Sequence, residues 1–598
     1  MRRLTSQELT EEPVDQSRRT FVQGAALGSA LLGLGLWQRP VWALKSSNPH
    51  DITALTGTDF HLTIAATSVN FTGRNRIATT VNGSVPAPVL HWREGDTVTL
   101  RVHNTLPVPS SIHWHGILLP SDMDGVPGIS YPGIAPGETF TYRFTVRQSG
   151  TYWYHSHTGF QEQTGLYGPL VIEPRTPEPF SYDRDYVVML SDWSDESPET
   201  IFANLKKQSD YYNFQQPTVP GFFHEASRKG FWNALDERLR WGRMRMSPTD
   251  ISDVTGYTYT YLMNGNPPAA DWNAIFHQGE RVRLRFINGS SMTYFDIRIP
   301  GLKMTVVQAD GQNIEPVSVD EIRIAVAETY DVIVEPQGDE AYCIFAQAID
   351  RSGYARGTLT SRADLHAPVP PMDPRPLLTM AAMGMGGMPA HDKSKPDGHV
   401  NAPSSGTQGM GSMPGMNMQV TQNSLIPVQA RAITTGPSVD NVARMPVERL
   451  DDPGVGLRDN GRRVLTYADL KALTPFYDQR DPNRELVLHL TGNMQRFIWG
   501  FDGTKYADAD PIRFKYGERV RIKLINDTMM NHPIHLHGMW SQLENGNNEY
   551  RPRKHTLNVQ PGTYLTYQVA ADARGGWAYH CHLLYHMEAG MFREVIVE

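Results

Sequence analysis

The chain has 598 residues, of which 40% are hydrophobic and 20% are charged, the composition of a soluble globular protein. That length predicts about three or four domains. The net charge of −8 and the lack of a long basic run give no reason to expect a nucleic-acid partner. Only two cysteines are present, Cys343 and Cys581, so at most one disulfide can form, and none if either cysteine binds a metal ion.

The amino terminus has the pattern of an export signal. Residues 17–22 have the twin-arginine form, residues 25–37 are an apolar run, and residues 41–43 resemble a small-residue cleavage site. We predict that residues 1–43 are a twin-arginine signal peptide, which carries folded proteins, often with a cofactor in place, to the bacterial periplasm. A transmembrane anchor is the alternative, but the apolar run of about 13 residues is short for a bilayer, so no stable membrane insertion is expected.

Three segments repeat one strand pattern. Each begins with glycine and ends with asparagine nine residues later, in 95–104, 279–288 and 517–526. Polar and apolar residues alternate between these ends, which is typical of a strand with one buried face. Together with short strands, frequent Gly and Pro, and little helical periodicity, the repeat predicts an all-β chain built from three copies of one antiparallel sandwich domain.

The predicted domains are residues 50–177, 180–365 and 425–598. The outer two copies stay in step beyond the repeat, because His113 follows Asn104, and His535 follows Asn526, by the same nine residues. The middle copy has Ile297 at that position, so the second domain keeps the scaffold and lacks the histidines.

Residues 366–424 differ from the domains in composition. They are rich in Gly, Pro, Ser and Met and poor in large aliphatic residues, which predicts a flexible linker. Methionines cluster in residues 380–388 and again in 410–418. Thioethers are soft ligands that favour Cu(I), so residues 380–418 could form a copper-collecting arm. A linker of biased composition with no metal role is the alternative.

Ten of the 21 histidines fall into four short clusters. The clusters are His113-Trp-His115, His155-Ser-His157, His532 with His535 and His537, and His580-Cys581-His582 with His586. One H-x-H pair alone is typical of a solvated surface strand. Four clusters at matching positions of a repeat instead favour a metal centre.

The spacing within each cluster has a geometric purpose. Residues i and i+2 of a strand point to the same face, so an H-x-H pair can aim two imidazoles at one metal region. Pairs from the first and third domains can then meet across an interface. Cys581 points the opposite way from His580 and His582, so it can reach a separate metal while its neighbours reach the shared cluster.

The ligand types identify the metal. A set of His532, Cys581, His586 and a weak axial Met591 is that of a blue-copper site. Zinc is the obvious competitor for a Cys/His site, but it needs neither the distant methionine nor eight further imidazoles. Dinuclear iron usually takes carboxylates, which these clusters lack. The sequence therefore predicts copper.

The four clusters resemble the four motifs of multicopper oxidases, HWHG, HSH, HPxHxHG and HCHxxxHxxxxM. The resemblance covers the whole mature chain and implies three cupredoxin-like Greek-key domains and four copper ions, one type 1, one type 2 and a type 3 pair. It implies that His532, Cys581, His586 and Met591 bind type 1 copper and that His113 and His535 bind type 2 copper. The six implied type 3 ligands are His115, His155, His157, His537, His580 and His582.

Further positions are matched less closely. The resemblance implies that Asp124 lies near the trinuclear cluster and helps to deliver protons, whereas an Asp-Gly turn at Asp124-Gly125 is the structural alternative. In some relatives an acid directly follows the last type 1 histidine. Here Met587 stands there and Glu588 comes next, so we do not assign Glu588 to a proton relay. Cys343 lies in an apolar stretch and is predicted to be a core residue.

The activity that the resemblance implies is the one-electron oxidation of a substrate coupled to the reduction of dioxygen to two waters. Electrons would pass from the type 1 site through Cys581 to His580 and His582. The twin-arginine signal, three domains and Met-rich insert also resemble the copper-resistance protein A family of periplasmic enzymes. The implied task is oxidation of Cu(I) to Cu(II), with dioxygen and Cu(I) as substrates and periplasmic copper-binding proteins as candidate partners.

Two other functions stay open. A laccase-like oxidase of phenols, or a ferroxidase, would use the same ligands, because the sequence does not show the substrate pocket. A copper-sequestering protein would use the Met-rich segment, although storage needs no route for electrons. A copper nitrite reductase is excluded, because such enzymes lack the type 3 histidines.

Overall fold

Three successive β-units make up the described part of the chain. The computed structural model describes residues 52–384, 426–427 and 433–598. The predicted signal peptide, residues 1–43, and most of the Met-rich segment lie outside these residues. No helix within the described ranges is long and apolar enough to cross a membrane.

The first unit contains strands β1 to β9. They are β1 (Ala54–Thr56), β2 (Asp59–Val69), β3 (Arg76–Val81), β4 (Val89–Arg93), β5 (Thr97–Asn104), β6 (His113–His115), β7 (Thr139–Thr145), β8 (Gly150–His155) and β9 (Tyr167–Glu173). One sheet has the order β1-β4-β9-β8-β6 and the other has the order β3-β2-β5-β7. A 3-10 helix, Ser121–Met123, follows β6.

The second unit contains strands β10 to β20. They are β10 (Arg184–Ser194), β11 (Tyr259–Met263), β12 (Trp272–Ile275), β13 (Val282–Asn288), β14 (Phe295–Arg298), β15 (Met304–Ala309), β16 (Gln312–Val319), β17 (Glu321–Ile324), β18 (Thr329–Val334), β19 (Ala341–Ala348) and β20 (Tyr354–Thr360). Its sheets have the orders β11-β10-β13-β18-β15-β16 and β12-β20-β19-β14-β17.

The third unit contains strands β21 to β33. They are β21 (Ile426–Pro427), β22 (Val447–Glu448), β23 (Arg484–Asn493), β24 (Ile498–Phe501), β25 (Ile512–Phe514), β26 (Arg519–Asn526), β27 (His532–Leu536), β28 (Ser541–Leu543), β29 (Arg553–Lys554), β30 (Thr556–Val559), β31 (Thr563–Ala570), β32 (Gly575–Cys581) and β33 (Phe592–Val597). One sheet follows β21-β23-β26-β31-β28-β29, with β22 on β31 and β24 on β23, and the other follows β25-β33-β32-β27-β30. The short helices here are the 3-10 turns Tyr467–Asp469, Met494–Arg496, Tyr506–Asp508 and Asn548–Tyr550.

The repeated segments form β5, β13 and β26, which occupy the same place in each unit. Each pairs in parallel with the strand before it in its sheet, β2, β10 or β23, and antiparallel with β7, β18 or β31. The predicted threefold repeat is confirmed, but the predicted antiparallel pairing is wrong for some pairs in each unit, among them β2–β5, β10–β13 and β23–β26, which are parallel. A parallel pair needs a crossover connection, and here β4 of the other sheet lies between β2 and β5 along the chain.

The repeat also predicts one buried face for each strand, and β13 departs from it. All seven residues of β13 are buried. Its two arginines are held by carboxylates, since Arg283 and Arg285 both contact Asp331 and Arg285 also contacts Asp185. Buried charges of this kind are stable only when they are paired. Because both arginines are paired, the polar face of β13 can be buried as well as its apolar face.

Helices lie between β10 and β11, where the sequence predicted little helical structure. They are α1 (Pro198–Lys207), α2 (Val219–Lys229) and α3 (Phe231–Met244). Side chains cap the first two, because Ser197 accepts a hydrogen bond from the Thr200 amide and Thr218 accepts one from the Gly221 amide. A Ser or Thr followed closely by proline is the sequence feature that could have predicted the start of these two helices. A last helix, α4 (Leu584–Glu588), follows β32.

The first part of the predicted linker is packed against the second unit. Residues 366–384 are described, and Leu378 and Met383 in this stretch are buried. Asp373 accepts a hydrogen bond from the Gln347 amide at 2.7 Å, and the Pro371 carbonyl accepts one from Arg298 at 2.7 Å. The flexible linker that we predicted from residue 366 therefore does not begin there. The rest of the predicted linker, residues 385–424, lies outside the described residues.

The three units share one hydrophobic core. A single cluster of buried side chains includes Phe60 of the first unit, Leu284 of the second and Leu524 of the third. The first and third units also meet directly, because the Ser121 hydroxyl donates to the Gly576 carbonyl at 2.8 Å. This contact brings the end of β6 close to β32, and both strands carry predicted metal ligands.

Candidate metal centre

His532, Cys581 and His586 converge on one point inside the third unit, which we call the cysteine site. They come from β27, β32 and α4. The Cys581 Sγ atom lies 3.5 Å from His532 Nδ1 and 3.9 Å from His586 Nδ1, and the two Nδ1 atoms are 3.2 Å apart. All three side chains are buried. Two imidazole nitrogens and one sulfur atom therefore face the same small volume.

The outer nitrogens of these rings are held in place. His532 Nε2 lies 2.8 Å from the Thr528 hydroxyl, and His586 Nε2 lies 2.8 Å from a carboxylate oxygen of Asp253. Metal-binding histidines generally use their second nitrogen in this way, which fixes the ring and the tautomer. Both rings are thus oriented with Nδ1 toward the sulfur.

Met591 is placed beside the cysteine site by backbone bonds. The Cys581 amide donates to the Met591 carbonyl at 3.1 Å, and the Met591 amide donates to the His586 carbonyl at 3.0 Å. Met591 is fully buried. Its backbone is therefore bonded to two of the three residues of the site.

Eight further histidines form a second group between the first and third units, which we call the histidine cluster. Its members are His113, His115, His155, His157, His535, His537, His580 and His582. The two units interleave their rings, since His113 stacks on His537 with centroids 4.0 Å apart and His115 stacks on His535 at 3.8 Å. The cluster can form only when both units are in place.

The cluster contains three sets of three histidines, two of which share His115, and the ligand nitrogens of each set lie within 4.8 Å of one another. One set is His113, His115 and His535, another is His115, His155 and His582, and the third is His157, His537 and His580. In the third set, His580 Nε2 lies 3.3 Å from His157 Nε2 and 3.1 Å from His537 Nε2. Each set has the size and composition of a metal-binding site.

Strand geometry explains part of this arrangement. His113 and His115 lie in β6, and His113 pairs with His155 at the end of β8. In the third unit, His535 pairs with His580 across β27 and β32. The other members, His157, His537 and His582, follow directly after these strands. The i and i+2 spacing therefore directs two imidazoles to the same side both within a strand and just beyond its end.

Most rings of the cluster have one nitrogen bonded outward. Backbone carbonyls accept from His113 (Asp124 O, 2.8 Å), His535 (His555 O, 2.5 Å) and His580 (Cys581 O, 3.0 Å). The inward Nε2 atoms of His113, His155 and His535, and both ring nitrogens of His582, are buried without a hydrogen-bond partner among the described residues. Unpartnered buried nitrogens are costly unless something binds them.

Carboxylates hold two other rings. The Asp124 carboxylate lies 2.8 Å from His537 Nδ1, and the Glu162 carboxylate lies 2.7 Å from His155 Nδ1. Both acids are buried. Burial, followed by the charge of Asp192, raises the pKa of Glu162 well above its usual range.

Burial keeps most of these histidines neutral. Desolvation, aided by neighbouring imidazoles, holds the pKa of His115, His155, His157, His535, His537 and His582 well below the ordinary value. The same cause lowers the pKa of His580 to about 3, and that of His532 is also well below normal. Burial raises the pKa of the Cys581 thiol, so its thiolate requires a cation, which a coordinating metal provides.

These donors fit copper. Neutral imidazoles are good ligands for copper, and a thiolate with two imidazoles is the blue-copper set. Cys581 lies between His580 and His582 in the sequence, so its backbone joins the cysteine site to the histidine cluster. The structure brings all twelve predicted ligands to these two places, and the assignment of each to a particular copper ion stays a prediction.

Asp124 lies in an Asp-Gly turn and also contacts the histidine cluster. Gly125 has φ +85°, and a Cβ atom there would lie 1.9 Å from the Ile112 carbonyl oxygen, so the Asp-Gly turn requires glycine. That turn places Asp124 against His113 through its carbonyl and against His537 through its carboxylate. Its role with protons stays a prediction.

Cys343 and Glu588 take no part in the hydrogen bonds described above that hold the metal ligands. Cys343 is a buried core residue as predicted, packed with Phe345 and Ala367, and burial raises its pKa to about 11. Glu588 lines a cavity of about 480 Å³ together with His157. No described hydrogen bond joins Glu588 to the cluster.

Sequence reasoning missed the residues that hold the ligands from outside. Glu162, Asp253, His555 and Thr528 belong to no metal motif. Glu162 follows His157 by five residues in a segment that folds back, whereas Asp253 and His555 come from distant parts of the chain. Glu162 and Thr528 had a signal, because each lies within five residues of a histidine cluster.

Three β-units with a cysteine site joined to an eight-histidine cluster define the class of multicopper oxidases. Three family models, each described as multicopper oxidase, match residues 63–177, 184–363 and 479–598, so the chain belongs to the multicopper oxidase family. Members of this family use copper, and the predicted cupredoxin-like architecture is confirmed.

Within that family the chain is similar to copper resistance proteins. It is 57% identical to the copper resistance protein A homolog of Pseudomonas syringae pv. tomato strain DC3000, over 98% of this chain and 100% of the relative. It is 56% identical to copper resistance protein A of Escherichia coli, over 97% and 99%. In fold it resembles Fet3p, a multicopper oxidase that functions in iron import, with a TM-score of 0.61, 19% identity and 91% coverage of both chains.

Proposed function

We propose that this multicopper oxidase oxidises Cu(I) to Cu(II) with dioxygen as the electron acceptor, as part of copper resistance in the periplasm. The observation that carries the proposal is 57% identity with a copper resistance protein A homolog over 98% of the chain. The export signal predicted in residues 1–43 and the three domains at 50–177, 180–365 and 425–598 belong to the same proposal.

The two groups of ligands suggest how copper would be held. The cysteine site with Met591 would bind type 1 copper, and His113 with His535 would bind type 2 copper. The type 3 pair would be held by His115, His155 and His582 on one side and by His157, His537 and His580 on the other. Copper bound in these places would accept electrons singly and supply the four that dioxygen needs to become water.

Cys581 gives the chain a covalent route between the two groups. Its thiolate belongs to the cysteine site, whereas its backbone continues directly into His580 and His582 of the histidine cluster. The His580 ring also bonds to the Cys581 carbonyl at 3.0 Å, which adds a second connection. Electrons can therefore cross without a mobile carrier.

Asp124 is the candidate for handling protons. One carboxylate oxygen accepts from His537 Nδ1–H, and the other lies 3.3 Å from His113 Nδ1 and has no hydrogen-bond partner among the described residues. A free carboxylate oxygen next to both a proposed type 2 and a proposed type 3 ligand can hold a proton at the place where oxygen is reduced.

Asp253 supports the cysteine site from the second unit. Its carboxylate accepts from His586 Nε2–H, so it connects the cysteine site to the second unit. A carboxylate bonded to the outer nitrogen of this histidine orients the ring toward a metal held at the site.

Oxygen uptake with alternative reductants tests the substrate. The copper-loaded protein is mixed with Cu(I), with a phenol or with Fe(II) under identical conditions. We expect the highest kcat/KM with Cu(I). A higher value with the phenol or with Fe(II) would replace this proposal with a laccase-like or a ferroxidase function. No uptake with any reductant, despite full copper loading, would favour sequestration.

A further inference from the structure

Residues 554–556 of the third unit support the histidine cluster from outside. The carbonyl of His555 accepts from His535 Nδ1–H at 2.5 Å. His115 Nε2 lies 3.1 Å from the His555 ring nitrogen Nδ1 and 3.2 Å from the Thr556 hydroxyl. One short segment therefore contacts a histidine from each of the two units that build the cluster.

These contacts decide which nitrogen each ring presents to the centre. His535 donates from Nδ1, so its Nε2 atom is left with a lone pair facing inward. His115 is held at Nε2, so its Nδ1 atom faces inward instead. Both inward nitrogens are buried and lack a hydrogen-bond partner among the described residues. The two rings are thus fixed in opposite orientations by the same segment.

Asp310 of the second unit fixes this segment. Its Oδ2 atom accepts the backbone amides of His555 at 3.1 Å and Thr556 at 3.2 Å, and it lies 3.0 Å from Lys554 Nζ. Its Oδ1 atom accepts the Thr329 amide at 3.1 Å. Asp310 is fully buried and sits at a turn with φ +48°.

The charge of Asp310 belongs to a closed network. Lys554 Nζ also lies 3.1 Å from Glu328, and the rings of Tyr330 and Tyr467 lie within 5.4 Å of it. Lys554 and Glu328 are buried, as Asp310 is. A buried group of charges is tolerated only when its members remain paired in good geometry, so the network allows little movement of the segment.

We propose that Asp310 is a positioning residue for copper, holding residues 554–556 so that His535 and His115 present the correct nitrogens to the metal. This inference rests on the proposed copper ligands. It gives the second unit, which supplies none of the twelve ligands, a direct part in the geometry of the cluster.

The test uses variants that separate positioning from folding. Asp310→Gly removes the carboxylate and suits the left-handed backbone at this position. The double variant Asp310→Gly/Lys554→Met also removes the lysine that the first change leaves partly unpaired. Asp296→Ala is the matched control, because Asp296 is a buried acid of the same unit that pairs with Arg323 and Arg351 and touches no histidine of the cluster.

Copper content and the electron paramagnetic resonance spectrum are measured after copper loading and dialysis. We expect both Asp310 variants to keep the blue absorbance, to fall from four bound copper ions to about three, and to lose the type 2 signal. Asp296→Ala should keep four ions and the type 2 signal even if its melting temperature falls. If Asp310→Gly does not fold, the double variant alone decides.

Two results would overturn the positioning role. One is a folded Asp310 variant with four copper ions and an unchanged type 2 signal. The other is equal loss of type 2 copper in Asp296→Ala, which would show a general effect of destabilising the second unit. The unaltered protein is measured in parallel. If it does not bind four copper ions, the proposed function itself fails, whereas failure of the variants alone leaves that function intact.

Discussion

His537 of the third unit donates its Nδ1–H to the carboxylate of Asp124 in the first unit, across 2.8 Å. The same aspartate holds His113 through its backbone carbonyl. One acidic residue therefore orients histidines from both sides of the interface. Its carboxylate contacts both rings of the stacked pair His113 and His537.

Replacement of Asp124 by asparagine should impair turnover more than assembly. The amide oxygen of the new side chain could still accept from His537, but it could not exchange protons. We expect kcat for oxygen reduction to fall by about 100-fold or more, the usual contribution of a general acid or base. Copper content and blue absorbance should be unchanged. Asp122→Asn, at an exposed acid two residues away, is the control, and an equal loss there would argue against a specific role.

Cys581→Ser should remove the blue absorbance and steady oxygen uptake, because a hydroxyl cannot replace the copper–thiolate bond. Cys343→Ser is the comparison, since Cys343 is the other buried cysteine and lies in β19. It should stay blue while losing about 1–3 kcal/mol of stability from an unpaired buried hydroxyl. Visible spectra and thermal unfolding measure both effects. A blue Cys581→Ser protein would disprove the type 1 assignment.

Asp253→Ala should slow the entry of electrons. Loss of the bond to His586 Nε2 frees that ring and removes a negative charge beside it, and changes to such supporting residues typically cost about 10–100-fold. We expect slower bleaching of the blue colour when Cu(I) is added without oxygen. Reoxidation of the reduced protein by dioxygen should stay near the original rate. Equal slowing of both half-reactions would place the effect elsewhere.

The copper-free protein should lose stability as the pH falls below about 6.5. Its buried histidines have pKa values lowered by desolvation, to about 3 for His580, so the unfolded chain binds more protons than the folded chain in that range. The free energy of unfolding that each such histidine contributes is fully present above its pKa in the unfolded chain. Below that pKa it falls by about 1.4 kcal/mol for each pH unit. Thermal unfolding from about pH 7.5 to about pH 5 measures this. A constant melting temperature would contradict the predicted burial.

The sequence was sufficient to predict strands and ligands wherever the same residue types recur at a fixed spacing. Strands β5, β13 and β26 followed from the Gly-to-Asn repeat, and the structure brings together all the histidines singled out by their spacing. The residues that orient those rings were not predictable in the same way. Asp253 and His555 act through folding contacts with residues far away in sequence, which no local pattern records. Helices α1 and α2 had a local signal in the caps at Ser197 and Thr218, whereas α3 follows Gly230 and has no side-chain cap.

The most direct measurement is the number of Cu(I) ions oxidised for each dioxygen consumed, with peroxide measured in the same sample. Complete reduction of dioxygen to two waters needs four electrons, so the copper-loaded protein should oxidise four Cu(I) ions per dioxygen and release no peroxide. A ratio of two with matching peroxide would show that the cysteine site and histidine cluster do not act as one multicopper centre, and it would contradict the account.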